Sequence, residues 1–555
     1  MEKIWLKNYP KEVPPIINVE KYQSIPEVFD EAIRKYGNAT AFTNLGFDLS
    51  FAELDKKSAD FASFLQNELK LKKGDRIAIQ MPNCLQFPIA LFGAIRAGLV
   101  VVNTNPLYTA REMKYQFNDS GTKAVVILAN FAHLLEQVLK DTPVESVIVT
   151  ELGDMLPAPK KWIVNAVVKH VKKMVPPFHL PHAYKFNQAL KIGSTAPFKP
   201  QNLTLKDLAF LQYTGGTTGV SKGAMLTHGN ICANMLQIAA WIGPVVKEGQ
   251  EMIITALPMY HIFSLTVNCL FFMNYGAHNI LITNPKDIPA FIKDMKKYKF
   301  TCMSGVNTLF NALMNHADFG TIDFKQVKVT VAGGMALQTA VANRWKEKTK
   351  SLIVEGYGLT ETSPVAAVNP LDGTDRVGTI GLPIPNTEMK IIDDNGKELN
   401  VGDVGEICIR GPQVMQGYWQ KPEETANVMT ADGYFKTGDI ATIQEGGFFK
   451  IVDRKKDMIL VSGFNVYPNE VEDVVATLPG IAEVAAVGIP DERSGEVVKL
   501  FVVKKDPALT DQQIIAHCKA QLTGYKVPKS VEFRTELPKT NVGKILRRAL
   551  RDSTP

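Results

Sequence analysis

The chain has 555 residues, 45% of them hydrophobic and 21% charged, with 40 glycines and 32 prolines. Such globular usage, with length enough for a large core and more than one domain, excludes collagen-like, low-complexity and wholly disordered chains. Lys and Arg number 62 against 56 Asp and Glu, a net charge of +6; that excess is too slight for a nucleic-acid binder, which concentrates its charge on one face.

The opening, MEKIWLKNYPKEVPP, lacks the apolar stretch of an export signal. Short β-branched runs then recur: RIAIQMPN, KAVVILAN, VESVIVTEL, EMIITALP and VKVTVAGG. Stretches long enough for helices separate them, so the expected fold class is α/β with largely parallel sheets. The apolar stretch 87–102 is interrupted by Pro88 and Arg96. It is shorter than the roughly 20 residues of a membrane-spanning helix. It reads as a buried helix, a turn at Gly98 and a strand over Val100–Val102. The six cysteines lie far apart without CxxC or zinc spacing. They read as buried thiols in a reducing compartment, and the expected location is cytoplasmic.

From Pro157 to Pro177 the chain reads PAPKKWIVNAVVKHVKKMVPP. Lys160, Lys161, Lys169, Lys172 and Lys173 accompany an apolar stripe of Trp162, Ile163, Ala166, Val167 and Val171 at helical spacing. A basic amphipathic helix over 160–173 either lies in an anionic membrane interface or packs on its own domain.

The sharpest local signal is YTGGTTGVSKG, Tyr213 to Gly223. Glycines let backbone N–H groups converge on an anion, while hydroxyls and an ammonium add donors. The loop is therefore suited to a polyphosphate. It is not a Walker A motif, because Ser221 rather than glycine precedes Lys222. In the last hundred residues, Val471, Val474, Val475 and Leu478 repeat at helical spacing. Strands at EVAAVGI and VVKLFVVK follow, then a helical pattern through Ile514, Ile515, Cys518 and Leu522. A small α+β domain is expected there.

The Thr214–Lys222 loop resembles the phosphate signature of the adenylate-forming superfamily. Further motifs follow in that superfamily's order: YGLTE at 357–361, TGD at 437–439, DRKKD at 453–457 and PKTNVGKI at 538–545. Stretches such as ALPMYHIF, GVNTLFNAL and VDRKKDMILVSGFNVYPNEVEDVV are similar to bacterial long-chain fatty acyl-CoA synthetases nearly throughout.

The resemblance implies ATP-dependent activation of a long-chain fatty acid to an acyl-adenylate, then thioester formation with coenzyme A, feeding fatty acid degradation. It implies phosphate contacts from Tyr213, Thr214, Gly215, Gly216, Thr217, Thr218, Gly219 and Lys222. Glu361 would hold Mg²⁺, with Thr360 beside the α-phosphate. Tyr357 and Gly333-Gly334 would face adenine, and Asp439 with Arg454 the ribose. Lys544 would be the catalytic lysine, since a long ammonium can reach the oxygen between α- and β-phosphates. His261 reads either as a satisfied core histidine or as a group near the acyl and pantetheine ends of the pocket.

The same resemblance divides the chain into an N-terminal body (1–452), a hinge linker (453–457) and a mobile C-terminal domain (458–555). Rotation about Asp453 would withdraw Lys544 and present Ser462-Gly463 for thiol attack. Lys539, Arg547 and Arg548 read as solvated charge. The apolar stretches 262–273 and 302–313 read either as an acyl tunnel or as plain core. Homodimers and peripheral attachment to the cytoplasmic face of the inner membrane fit the same resemblance. Alternatives are a fatty acyl-AMP ligase with another acceptor, a luciferase-like oxygenase, and a non-catalytic membrane protein that binds fatty acids.

Overall fold

The computed structural model describes residues 3–214, 221–540 and 543–553. Each β-branched run of the sequence forms a strand, at Arg76–Gln80, Thr122–Leu128, Ser146–Thr150, Met252–Thr255 and Val329–Ala332. Two large sheets result, one of nine strands and one of seven. Within the nine-stranded sheet the central pairs are parallel, from Thr40–Asn44 through His278–Leu281, Met252–Thr255, Cys302–Gly305 and Val329–Ala332 to Val354–Gly358. The seven-stranded sheet is parallel up to its last pair, Leu208–Thr214 with Lys222–Thr227, which is antiparallel. Strands such as Val100–Asn103 are buried throughout, as expected where helices cover both faces of a parallel sheet.

The stretch 87–102 folds as its composition indicates. A helix over Gln86–Arg96 buries all but its last residue, Gly98 turns at φ +81°, and Val100 starts the strand. A four-stranded antiparallel sheet follows, from Glu388–Ile392 to Phe449–Arg454. The C-terminal residues form their own five-stranded sheet with helices Pro468–Ala476 and Asp511–Gln521. Its core, including Val466, Val471, Val475, Leu500, Ile514 and Cys518, is separate from the main core. The fold is thus an α/β body with a small α+β domain. All six cysteines are buried and free.

In the main core Trp345 is fully buried, its ring edge-on to Phe310 at 5.0 Å and close to Phe319 and Phe324. Trp345→Ala should cost about 3–5 kcal/mol of stability. Urea unfolding followed by circular dichroism checks this, and a loss below ~1 kcal/mol would contradict such packing.

Candidate active site

One cavity of about 1260 Å³ runs between the body and the C-terminal domain, and the motif residues converge on it. The strand Val354–Gly358 turns through Thr360–Thr362 and returns as Val365–Val368. The turn closes so tightly that a Cβ on Gly358 would lie 1.9 Å from the Pro364 carbonyl oxygen, so only glycine fits. It buries the Glu361 carboxylate, whose Oε1 accepts a hydrogen bond from the Tyr418 hydroxyl at 2.7 Å. Burial raises the Glu361 carboxyl above its usual range, with the Tyr418 hydrogen bond acting against that.

Tyr357 precedes the same turn, and its hydroxyl donates to Asp439 Oδ2 at 2.7 Å. Asp439 and Arg454 are cross-strand partners in the four-stranded sheet, with Nε 3.3 Å from Oδ1. Two sheets are thereby joined through one carboxylate. Gly333 and Gly334 follow the strand Val329–Ala332 and also line the cavity. Gly334 has φ +80°, and a Cβ there would meet Lys544 Cε at 3.3 Å.

Lys544 thus enters the body's cleft from the far end of the chain. Its turn is held by Thr540 N–H to the Lys544 carbonyl (2.7 Å) and Lys544 N–H to the Thr540 hydroxyl (3.0 Å). Across the boundary, the Thr308 hydroxyl donates to the Gly543 carbonyl at 3.1 Å and Asn311 Nδ2 to the Ala482 carbonyl at 3.1 Å. Burial lowers the Lys544 ammonium to about 8; Arg454 and Lys456 act in the same direction, and Asp439 and Glu361 oppose them.

The flanks of the glycine-rich loop meet the cavity as well. Thr214 and Lys222 are register partners at the sheet edge, and the Ser221 hydroxyl donates to the Thr214 carbonyl at 2.6 Å. Lys222 pairs with Glu424 and lies 5.0 Å from the Tyr418 ring centroid. Gly215, Gly216, Thr217, Thr218 and Gly219 lie outside the described residues. Tyr213 lines the cavity, but its hydroxyl is engaged by Asp119 Oδ2 at 2.6 Å rather than presented to a ligand. His261 also lines it, Nδ1 accepting from the Phe263 N–H at 3.3 Å. Burial, aided by the Lys544 charge, lowers this imidazole to about 3, so it is neutral.

Ser462 and Gly463, both at positive φ, form an exposed hairpin tip away from the cavity that holds Lys544. Two placements differ from expectation. Asp453 and Arg454 close the strand Phe449–Arg454, so the expected linker begins inside a sheet. Arg547 is not solvated: its side chain is 17% exposed and bonds Glu472 and Asn469.

Other cavity residues carried no motif. Tyr418 bonds Glu361 from a loop whose sequence, GYWQ, gives no hint beyond its aromatic rings. Glu355 lines the wall buried, its carboxyl raised by burial to about 8 while accepting the Leu337 N–H. Beyond the polar groups the cavity continues as an apolar arm lined by Ile238, Trp241, Val267, Phe272, Met303 and Val331. Val267, Phe272 and Met303 come from the two stretches read as tunnel or core. Ile238 and Trp241 come from the helix His228–Ile242, whose apolar face looks like ordinary core in sequence.

Known proteins match this chain along its full length. Residues 29–419 match the model of the AMP-binding enzyme family and residues 470–544 that of the AMP-binding enzyme C-terminal domain. The long-chain-fatty-acid–CoA ligase of Salmonella typhimurium is 56% identical over 552 residues, covering 100% of this chain and 98% of that protein. The Bacillus subtilis protein of the same name is 38% identical, covering 99% and 98%. Among solved structures, ATP-bound MatB from Rhodopseudomonas palustris superposes with a TM-score of 0.79 at 28% identity, covering 96% of this chain and 99% of that one. From glycine-rich flanks to C-terminal lysine, this chain is a member of the AMP-binding enzyme family.

Proposed function

We infer that the protein is a long-chain-fatty-acid–CoA ligase working through an acyl-adenylate. The carrying observation is that Lys544, Glu361 and the Asp439–Arg454 pair share one cavity with an apolar arm. A fatty acid lying in that arm would bring its carboxylate to the polar end. There a carboxylate oxygen attacks the α-phosphorus of ATP and pyrophosphate leaves. In the second step the coenzyme A sulfur attacks the acyl carbonyl, AMP leaves, and the thiol proton passes to solvent. Full-length identity of 53–56% to ligases of this name supports the substrate class.

Asp439 would accept hydrogen bonds from the ribose hydroxyls and Tyr357 would flank the base. Lys544 would neutralise charge developing towards pyrophosphate. The donor set fits magnesium: Glu361 is a desolvated carboxylate facing the cavity, and such ions need only one or two protein carboxylates beside substrate phosphates. When bound, the ion would supply charge neutralisation on the phosphates. His261, neutral, would add shape and a hydrogen-bonding edge rather than charge. The turn residues 455–457, after the strand Phe449–Arg454, would serve as hinge for the C-terminal domain.

The segment 160–171 would attach the enzyme to anionic membrane. No helix among the described residues is long and apolar enough to cross a bilayer. The helix Lys160–Ala166 and its continuation to Val171 bury no residue, with Trp162 at 65% and Val171 at 73% exposure. Packing of this stripe on its own domain is thus not seen. The helix is tied down through polar groups instead: Asn165 bonds Glu151 and the Gly153 N–H, and Lys161 pairs with Asp154. Lys160 donates to the Leu45 carbonyl, which leaves the apolar stripe with Lys169, Lys172 and Lys173 outward, as interfacial binding needs.

Lys544→Ala should lower palmitate-dependent ATP–pyrophosphate exchange by about 10²–10³-fold, with a smaller loss in thioester formation from supplied palmitoyl-adenylate and coenzyme A. Equal loss in both would contradict its role. Because the Lys544 ammonium is charged below about 8 and neutral above, kcat/KM for adenylation should fall as pH rises through that value. A profile flat to high pH would count against it. In flotation with anionic vesicles, Lys160/Lys161/Lys169→Glu should bind more weakly than the parent, and unchanged, salt-insensitive flotation would reject the membrane reading.

A further inference from the structure

The tail that carries Lys544 is held in place by a guanidinium three residues further on. Arg547 Nε and Nη2 donate to the two oxygens of Glu472 at 3.0 and 2.8 Å, and Nη2 also to Asn469 Oδ1 at 2.6 Å. These partners sit on the helix Pro468–Ala476 of its own domain. The remaining nitrogen, Nη1, turns towards the body, 3.5 Å from Asp453 Oδ1 and 3.6 Å from Asp457. Asp453 is wholly buried at the end of the body's strand Phe449–Arg454. Its hydrogen bonds come from the Arg454 N–H (2.7 Å) and, across the boundary, the Asn469 N–H (2.8 Å). One turn along, Arg551 pairs with Asp457 at 2.6 Å.

We propose that Arg547 is a positioning residue for adenylation: by pairing with Asp453 across the domain boundary it keeps the Thr540–Lys544 turn seated against Gly334. The role rests on the acyl-adenylate reading above. Two features argue that the pair does more than hold the small domain together. The intradomain contacts to Glu472 and Asn469 would fix Arg547 whatever the domain orientation. The Nη1 arm towards Asp453 depends on orientation, because that carboxylate belongs to the strand while the guanidinium belongs to the tail. Moreover, a buried carboxylate that loses its cation is left poorly solvated, so rotation of the domain must offer Asp453 another partner or water. The pair therefore biases the domain towards the arrangement with Lys544 in the cleft. It needs no contact with substrate to do so.

The test separates the two half-reactions in the full-length protein. Arg547→Gln should slow palmitoyl-adenylate formation at least tenfold at unchanged KM for ATP. Thioester formation from supplied palmitoyl-adenylate and coenzyme A should stay within twofold. The double variant Lys544→Ala/Arg547→Gln should be no slower in adenylation than Lys544→Ala alone, because the arginine acts through the lysine. Asp453→Asn removes the cross-boundary charge and leaves the Glu472 contacts, so it should show the same pattern and replaces Arg547→Gln if that variant does not fold. Equal loss in both half-reactions, or losses that multiply in the double variant, would overturn the role of Arg547 alone. If the parent forms no adenylate from long-chain acids, the functional reading falls and this inference with it.

Discussion

Everything at this site depends on one carboxylate held out of water. Asp439 receives the Tyr357 hydroxyl from the nine-stranded sheet and the Arg454 guanidinium from its own four-stranded sheet. A buried carboxylate is tolerated only when hydrogen-bonded and paired, so the two sheets cannot separate here without stranding a charge. That junction sets the distance between Glu361, three residues past the paired strand, and Arg454, which precedes the domain boundary. The Arg454 charge in turn bears on Lys544, lowering the affinity of that ammonium for its proton. The polar end of the cavity, the sheet packing and the domain boundary are one electrostatic unit.

The apolar arm follows from ordinary core packing left unfinished. Helix His228–Ile242 and the π-helix Ser264–Phe272 are almost entirely buried, yet they stop short of filling the space in front of Cys302–Gly305. Protein interiors rarely leave such volume empty. A cavity with one polar mouth and one greasy wall suits an amphiphile, whose carboxylate and chain need opposite environments.

The sheets were readable because parallel strands buried on both faces leave unbroken β-branched runs, as at Val100–Val102. The cavity lining was readable where chemistry forces rare combinations, as in YGLTE at 357–361, TGD at 437–439 or the Gly-Lys pair before Ile545. It was unreadable where identical residues serve different ends. Arg547 and Arg548 are adjacent and look alike, yet one is enclosed by Glu472, Asn469 and Asp453 while the other is 68% exposed. Trp241 and Trp345 are both buried tryptophans, and only the fold places the first beside a cavity. The stripe Trp162–Val171 shows the converse: helical periodicity predicts an apolar face but cannot say whether anything covers it.

The separation of the two hydrophobic cores has a thermodynamic consequence. Among the described residues, the contacts that tie the small domain to the body include polar ones such as Thr308 to Gly543, Asn311 to Ala482, and Arg547 to Asp453. Among the described residues, the main buried apolar clusters of the body and of the small domain share no residue. If the small domain reorients as proposed, it exchanges hydrogen bonds and ion pairs such as these for hydration while leaving each oily interior intact. Heat capacity changes track exposed apolar surface, so such a rearrangement carries a small one. Its equilibrium can then stay nearly level across temperatures at which the folding equilibrium of either domain curves steeply.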